Sequence, residues 1–172
     1  MTETMEKFNE ALLNCIKKDV ERPNVRFFGL AEPVVVRDES EITLPVIKVA
    51  QGEYQHVLKE ADDRSLVIYH RLNSEAYEMS GTSFGDAKGC RVTADLSVVA
   101  FGRIDQYDLK DRLLEVALSL QGVVPTGCNL NAVSNWASEF IGVPYFMNPD
   151  YFMIKFNYKI VTNALLACKN KR

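Results

Sequence analysis

One stretch of the chain, residues 91–121, constrains the fold most because its hydrophobic period changes from two to between three and four. The first half alternates, with one side formed by Val92, Ala94, Leu96, Val98 and Ala100. The second half has apolar residues at helical spacing, namely Leu109, Leu113, Val116 and Leu120. This pattern predicts a strand with one buried face, followed by an amphipathic helix that packs on the same sheet. Gly102 and Asp105 mark the turn, and Asp108 is the predicted N-cap.

The rest of the chain divides into segments with the same two kinds of pattern. The predicted elements are a helix at 4–20, strands at 25–30, 33–37, 42–49 and 66–72, a helix around Trp136 capped by Asn129 or Asn131, and a strand at 152–160. Residues 51–63 fit a short helix or a loop, and residues 122–127 fit a turn. The strand at 66–72 is predicted to continue toward Tyr77 and Met79 and to form a long hairpin whose mobile tip is the glycine-rich stretch 80–89.

Together these elements predict a single domain over residues 1–172. Its predicted fold is α+β, with a mostly antiparallel sheet packed on one face by two or three helices, and with a long β-hairpin. The last strand is expected to pair antiparallel beside the strand at 91–102, since its residues Phe152, Ile154, Phe156, Tyr158 and Ile160 share one side.

Composition excludes several classes of protein. Hydrophobic residues make up 47% and charged residues 25% of the chain, which are ordinary values for a globular domain. A net charge of −3 argues against a surface built to neutralise phosphates, so at most non-specific contact with DNA is expected. No apolar run is long enough to span a membrane. The four cysteines lie far apart, with no secretory-type apolar stretch near the first residue, which favours reduced thiols in a cytoplasmic setting.

The segment GTSFG, with Ser83 at its centre, matches the GxSxG motif of hydrolases. That motif needs a strand before it, a helix after it and a histidine downstream, whereas here a strand follows and no histidine occurs after His70. The same loop does not fit a phosphate-binding GxxxxGK[ST] loop, because Gly89 follows Lys88. The sequence therefore predicts neither a catalytic nor a cofactor-binding site here.

The other residues that could catalyse a reaction or bind a metal give no stronger indication of a site. His56 and His70 have no cysteine or histidine at metal-ligand spacing, so no metal site is predicted. Cys90 would approach His70 only if the hairpin strands paired in a suitable register, and a histidine on a sheet face is the favoured interpretation. Asp95 is the one carboxylate expected on a rigid strand, and it has no evident partner for acid–base catalysis.

The hairpin tip is instead predicted to contact a partner, because a glycine-rich loop that carries an aromatic residue often does so. The residues assigned to this contact are Phe84, Asp86 and Lys88.

The order of the elements resembles that of the small tail-terminator and neck proteins of tailed phages, the tail-completion group. The resemblance is carried by residues 97–103 with 108–120 and by the alternating strand at 152–161. It implies a virion structural protein, not an enzyme, that assembles in the host cytoplasm into a ring. Such a ring would join or terminate the tail around the DNA channel, and it would dock onto portal, adaptor or tail-tube proteins. The chain departs from that arrangement in the Trp136 helix and in residues 42–66.

Two other functions remain open. The first is a small cytoplasmic enzyme with its site between sheet and helices, using His70, Cys90 or Ser83. The second is a ferredoxin-like binding module that recognises a peptide or a small ligand by a sheet edge.

Overall fold

The computed structural model describes residues 1–17, 24–37, 43–49, 54–56, 66–84, 87–102, 105–141 and 152–167. Its helices are α1 (Thr2–Lys17), α2 (Gln106–Ser119) and α3 (Ala132–Glu139). Its strands are β1 (Val25–Arg37), β2 (Thr43–Val49), β3 (Tyr54–His56), β4 (Leu66–Phe84), β5 (Ala87–Gly102), β6 (Val123–Asn129) and β7 (Phe152–Ala167).

The strands form one sheet of seven in the order β3-β2-β1-β4-β5-β7-β6. Among the described pairings, β1 and β4 run parallel and the others run antiparallel. The predicted α+β class, the mostly antiparallel sheet and the long β4–β5 hairpin are therefore confirmed. The last strand pairs with β5 as predicted, and its register extends from Gly102 opposite Phe152 to Ala87 opposite Ala167.

Helices α1 and α2 cover one face of the sheet, which we call the first face. The alternating residues of β5 and β7 lie on it, as the sequence predicted. The buried residues that α1 and α2 contribute are Met5, Phe8, Leu12, Ile16, Leu109, Leu113, Val116 and Ala117. Their spacing of three or four residues keeps each helix in continuous contact with the sheet.

Helix α3 lies on the opposite, second face, so the three helices are divided between two faces. Trp136 and Phe140 pack there against Phe101, with ring centroids 5.7 Å apart for Trp136–Phe101 and 5.1 Å apart for Trp136–Phe140. The second face of β5 is accordingly less exposed to solvent than the alternation of apolar and polar residues suggested. Ser97 is fully buried and donates to Asn157 Oδ1 at 2.7 Å.

The N-cap of α2 is Asp105, not Asp108 as predicted. Asp105 has extended backbone angles (φ −56°, ψ 122°), and its carboxylate accepts from the N–H groups of Tyr107 and Asp108 at 2.9 Å each. Asp108 lies within the first turn, where it pairs with Arg112. A cap must precede the first helical turn, so the earlier of the two aspartates takes this role.

Four predicted boundaries were wrong. Residues 25–30 and 33–37 form a single strand that includes Pro33, which lies opposite Ile47 of β2 where no described strand pairs with the other edge of β1. Residues 54–56 form β3, whereas the rest of 51–63 lies outside the described residues. Residues 123–129 form β6 instead of a turn, since β7 offers them an edge. Helix α1 begins at Thr2 instead of Thr4, and the predicted end at Val20 lies outside the described residues.

Gly122 joins α2 to β6 in a conformation that suits glycine. Its φ is +78°, and an added Cβ would lie 2.8 Å from the carbonyl oxygen of Val161. We expect Gly122→Ala to lower the free energy of unfolding by at least about 1–2 kcal/mol, measured by urea denaturation. Gly127→Ala is the matched control, because its Cβ would approach only Asn157 Nδ2, at 3.8 Å. Equal stability of the two variants would contradict this assignment.

Candidate functional site

The predicted contact loop is only partly described. Phe84 is the last residue of β4, and Lys88 lies in β5 opposite Ser83, whereas Asp86 falls outside the described residues. The side chains of Phe84 and Lys88 are not described. The predicted tip at 80–89 was too long, because β4 continues through Phe84 and β5 begins at Ala87.

Strands β4, β5 and β7 continue together beyond the strongly buried part of the sheet. We call this extension the arm, made of residues 72–84, 87–95 and 159–167. Every side chain from Leu72 to Met79 is exposed, including Tyr77 at 62% and Met79 at 56%. Two large apolar side chains of β4 therefore lie on the surface.

The two faces of the arm differ in character. Tyr77 lies opposite Val92 and Met79 opposite Cys90, so these residues extend the apolar stripe of the first face. The other face is polar, and there Asp95 accepts from Ser74 Oγ at 2.9 Å and lies 3.5 Å from Lys159 Nζ. On this face Tyr77 and Met79 of β4 are exposed, whereas Cys90 and Ala94 of β5 are buried.

The residues considered for an enzyme are not brought together. His70 lies opposite Val98, whereas Cys90 lies opposite Met79. Val98 and Cys90 are separated along β5 by roughly 27 Å at about 3.4 Å per residue. Ser83 pairs with Lys88, which is farther still from His70.

His70 is part of a buried hydrogen-bond network between α1, β4 and β7. Its Nδ1 lies 2.7 Å from the Tyr158 hydroxyl, and its Nε2 lies 2.7 Å from Asn9 Oδ1. Since an amide oxygen can only accept, Nε2 carries the proton and Nδ1 accepts from the hydroxyl. Burial lowers the pKa of His70 to about 4 and raises the pKa of Tyr158. The arrangement joins three elements through a neutral imidazole.

A cleft of about 760 Å³ opens on the second face between β1, β2, β4 and the end of α3. Its walls include Val35 of β1, Lys48 of β2, Arg71 of β4 and Ile141 just after α3. A volume of this size is typical of ligand sites.

A buried carboxylate lies at the floor of this cleft. Both oxygens of Glu139 accept from Arg71 Nη1, at 2.9 and 3.0 Å, and Lys155 Nζ forms a second ion pair with Oε1. The Glu139 side chain is fully buried. Nearby, Tyr69 has its pKa raised well above the ordinary value by burial and by the charge of Glu139.

Sequence reasoning did not find this group. Arg71 and Glu139 are 68 positions apart, and no local motif joins them. A weak signal was present, because Arg71 interrupts an apolar strand and Glu139 precedes Phe140 on a helix with a buried stripe. Charged residues in such positions usually have partners.

Within the described ranges, no three His, Cys, Asp or Glu side chains are grouped so that they could hold a metal ion. No helix among them is long and apolar enough to cross a membrane. No protein-family model matches the chain, and no curated protein matches it at a significant level.

Proposed function

We propose that this protein is a structural subunit of a phage neck or tail connector, which assembles into a ring that joins or terminates the tail around the DNA channel. The observation that carries the proposal is the arm, a three-stranded extension of the sheet on whose apolar face Tyr77 and Met79 are exposed. The order of elements that resembles the tail-completion group is its second support.

An arm of this kind suits contact between copies. Burying apolar surface stabilises association by about 25 cal/mol per Å², and Tyr77 and Met79 are large side chains of the sort enriched at interfaces. A contact between the arm and a different surface of the next copy would be heterologous, and such contacts generate rings when the rotation between copies closes. Portal, adaptor or tail-tube proteins are the further partners in this proposal.

The enzyme alternative receives no support from the strand register, which separates His70, Cys90 and Ser83. The binding-module alternative receives support from the cleft, which opens on the second face, whereas Tyr77 and Met79 of the arm extend the first face.

Native mass spectrometry over a concentration series tests the proposal. The subunit mass of 19.4 kDa makes copies easy to count. A discrete closed oligomer would support the ring. A monomer at every concentration, both alone and when mixed with candidate portal or tail-tube proteins, would contradict it.

The arm itself is tested by the double variant Tyr77→Asp/Met79→Asp. We expect the double variant to need an at least tenfold higher protein concentration for assembly, because two charges would have to be buried in the contact. Phe84→Asp, in the predicted contact loop, is expected to act in the same direction. Native mass spectrometry gives the oligomer population, and far-ultraviolet circular dichroism verifies that the monomer stays folded.

Ala76→Asp is the matched control for the arm, since Ala76 is exposed on the same strand but on its other face. Assembly should be retained in this variant. If the double variant assembled as well as the wild type, the apolar face of the arm would be removed from the proposal.

A further inference from the structure

The cleft is formed where two parallel strands separate. β1 and β4 pair from Val25–Leu66 to Leu30–His70, and their register shifts between Phe27 and Leu30. Gly29, with φ +62°, lies within this irregularity. Beyond it, β1 continues to Arg37 and β4 continues to Phe84.

The separation leaves strand edges without a neighbour. In the described part of the chain, β4 beyond His70 pairs only with β5, and β1 beyond Leu30 pairs only with β2. The backbone N–H and C=O groups on the facing edges therefore have no ladder partner among the described strands. An extended polypeptide supplies the complementary groups in the same spacing, which a small molecule does not.

The floor of the cleft also favours one kind of charge. Two cations, Arg71 and Lys155, share the single carboxylate of Glu139. Arg71 uses Nη1 for this contact, and no described residue accepts from its Nε or Nη2. Its side chain is 36% exposed. Lys48 on the opposite wall lies across from Glu32 of β1, which also lines the cleft, so these two residues add no net charge. Free guanidinium donors at a partly exposed position bind carboxylates in a forked geometry.

The remaining walls suit an apolar side chain. They include Leu30, Val35, Val49, Leu72 and Ile141, of which Ile141 at the rim is 79% exposed. Alternate residues of an added strand point to the same side of the sheet, so one side chain can enter the cleft while the backbone follows the edge.

We propose that the cleft binds an extended peptide segment that adds as a strand to the edge of β4 that no other described strand covers, with a carboxylate of the peptide bound to Arg71. This inference does not depend on the ring. The peptide's carboxylate is either its C-terminus or an acidic side chain, and the experiment separates these two sources.

The experiment is affinity selection of random octapeptides on the full chain, using one library with free C-termini and one with amidated C-termini. Enrichment from the first library alone indicates a C-terminal carboxylate. Enrichment of acidic peptides from both libraries indicates a side-chain carboxylate. The affinities of the enriched peptides are then measured by fluorescence anisotropy.

Three variants test the assignment of the site. Arg71→Met should lower affinity at least tenfold, and Ile141→Glu should lower it several-fold by placing a negative charge at an exposed rim position that does not affect folding. Arg91→Met is the matched control, because Arg91 is exposed on β5 of the arm, away from the cleft walls. It should bind as the wild type does.

Hydrogen exchange tests the mode of binding. Strand addition should protect backbone amides within residues 72–79 when an enriched peptide is present. The proposal would be overturned if neither library yielded enriched peptides, or if Arg71→Met and Ile141→Glu both bound peptide as tightly as the wild type. Unchanged hydrogen exchange at residues 72–79 would overturn it as well. Binding of dodecanoate in an Arg71-dependent manner without any peptide binding would also overturn it, and would assign the cleft to small amphipathic acids.

Discussion

Replacing Trp136 with alanine is expected to lower the free energy of unfolding by about 3–5 kcal/mol. Trp136 is 1% exposed and contacts Phe101 and Phe140, so its removal would leave a cavity between α3 and the second face of the sheet. Because α3 has only eight residues, it depends on this anchor instead of on its own helical stability. Urea denaturation measures the loss.

Two further substitutions on α3 sharpen this prediction. Val133→Ala is the matched control, since Val133 is 55% exposed, and its cost should stay within about 0.5 kcal/mol. Trp136→Phe should cost less than Trp136→Ala, because the indole Nε1 is buried without a hydrogen-bond partner among the described residues, and its removal leaves no described acceptor unpaired. A loss below about 1 kcal/mol for Trp136→Ala would show that α3 does not depend on this packing.

Acid is expected to destabilise the protein through His70. The pKa of His70 falls from 6.5 to about 4 on folding, because burial disfavours the imidazolium. Between these values the unfolded chain binds a proton that the folded chain does not, so stability falls as the pH is lowered from about 6.5 towards 4. The expected contribution is about 2 kcal/mol between pH 7 and pH 5, at about 1.4 kcal/mol for each tenfold change in proton affinity.

Urea denaturation of the wild type and of His70→Gln at several pH values isolates this contribution from that of the carboxylates. The difference in stability between the two proteins should shrink as the pH falls from 7 to 5. Val133→Ala is the control, because it changes an exposed residue that does not titrate and should leave the dependence on pH unchanged. A constant difference between the wild type and His70→Gln would show that His70 is not held neutral in the folded state.

The sequence predicted those parts of the fold in which each residue's environment follows from its neighbours along the chain. The alternation in β5 and β7 and the helical spacing in α2 gave the strands, the helix and the face on which they meet. Asn131 was correctly predicted as one of two caps of α3, since a cap acts only on the next turn. For α2, two aspartates stood near the start, and the sequence pattern alone favoured the wrong one.

Local sequence patterns did not predict the strands that form only because a neighbouring strand is available for pairing. β6 contains Pro125 and Gly127 and resembles a turn, yet the edge of β7 pairs with it. The position of α3 on the second face was also not predicted, because the sequence of an amphipathic helix does not specify which face of a sheet the helix covers. His70 was assigned to a sheet face from its strand, but its partners Asn9 and Tyr158 come from distant parts of the chain.

The candidate surfaces divide in the same way. The sequence by itself determined that this chain forms an α+β domain with a long hairpin, because hydrophobic periodicity fixes which side of each element is buried. Only the tertiary structure decided that the hairpin and β7 form an arm, that β1 separates from β4, and that Arg71, Glu139 and Lys155 meet at the floor of the cleft. These features arise from contacts between residues far apart in the chain, and such contacts depend on strand order and register, which local sequence does not specify.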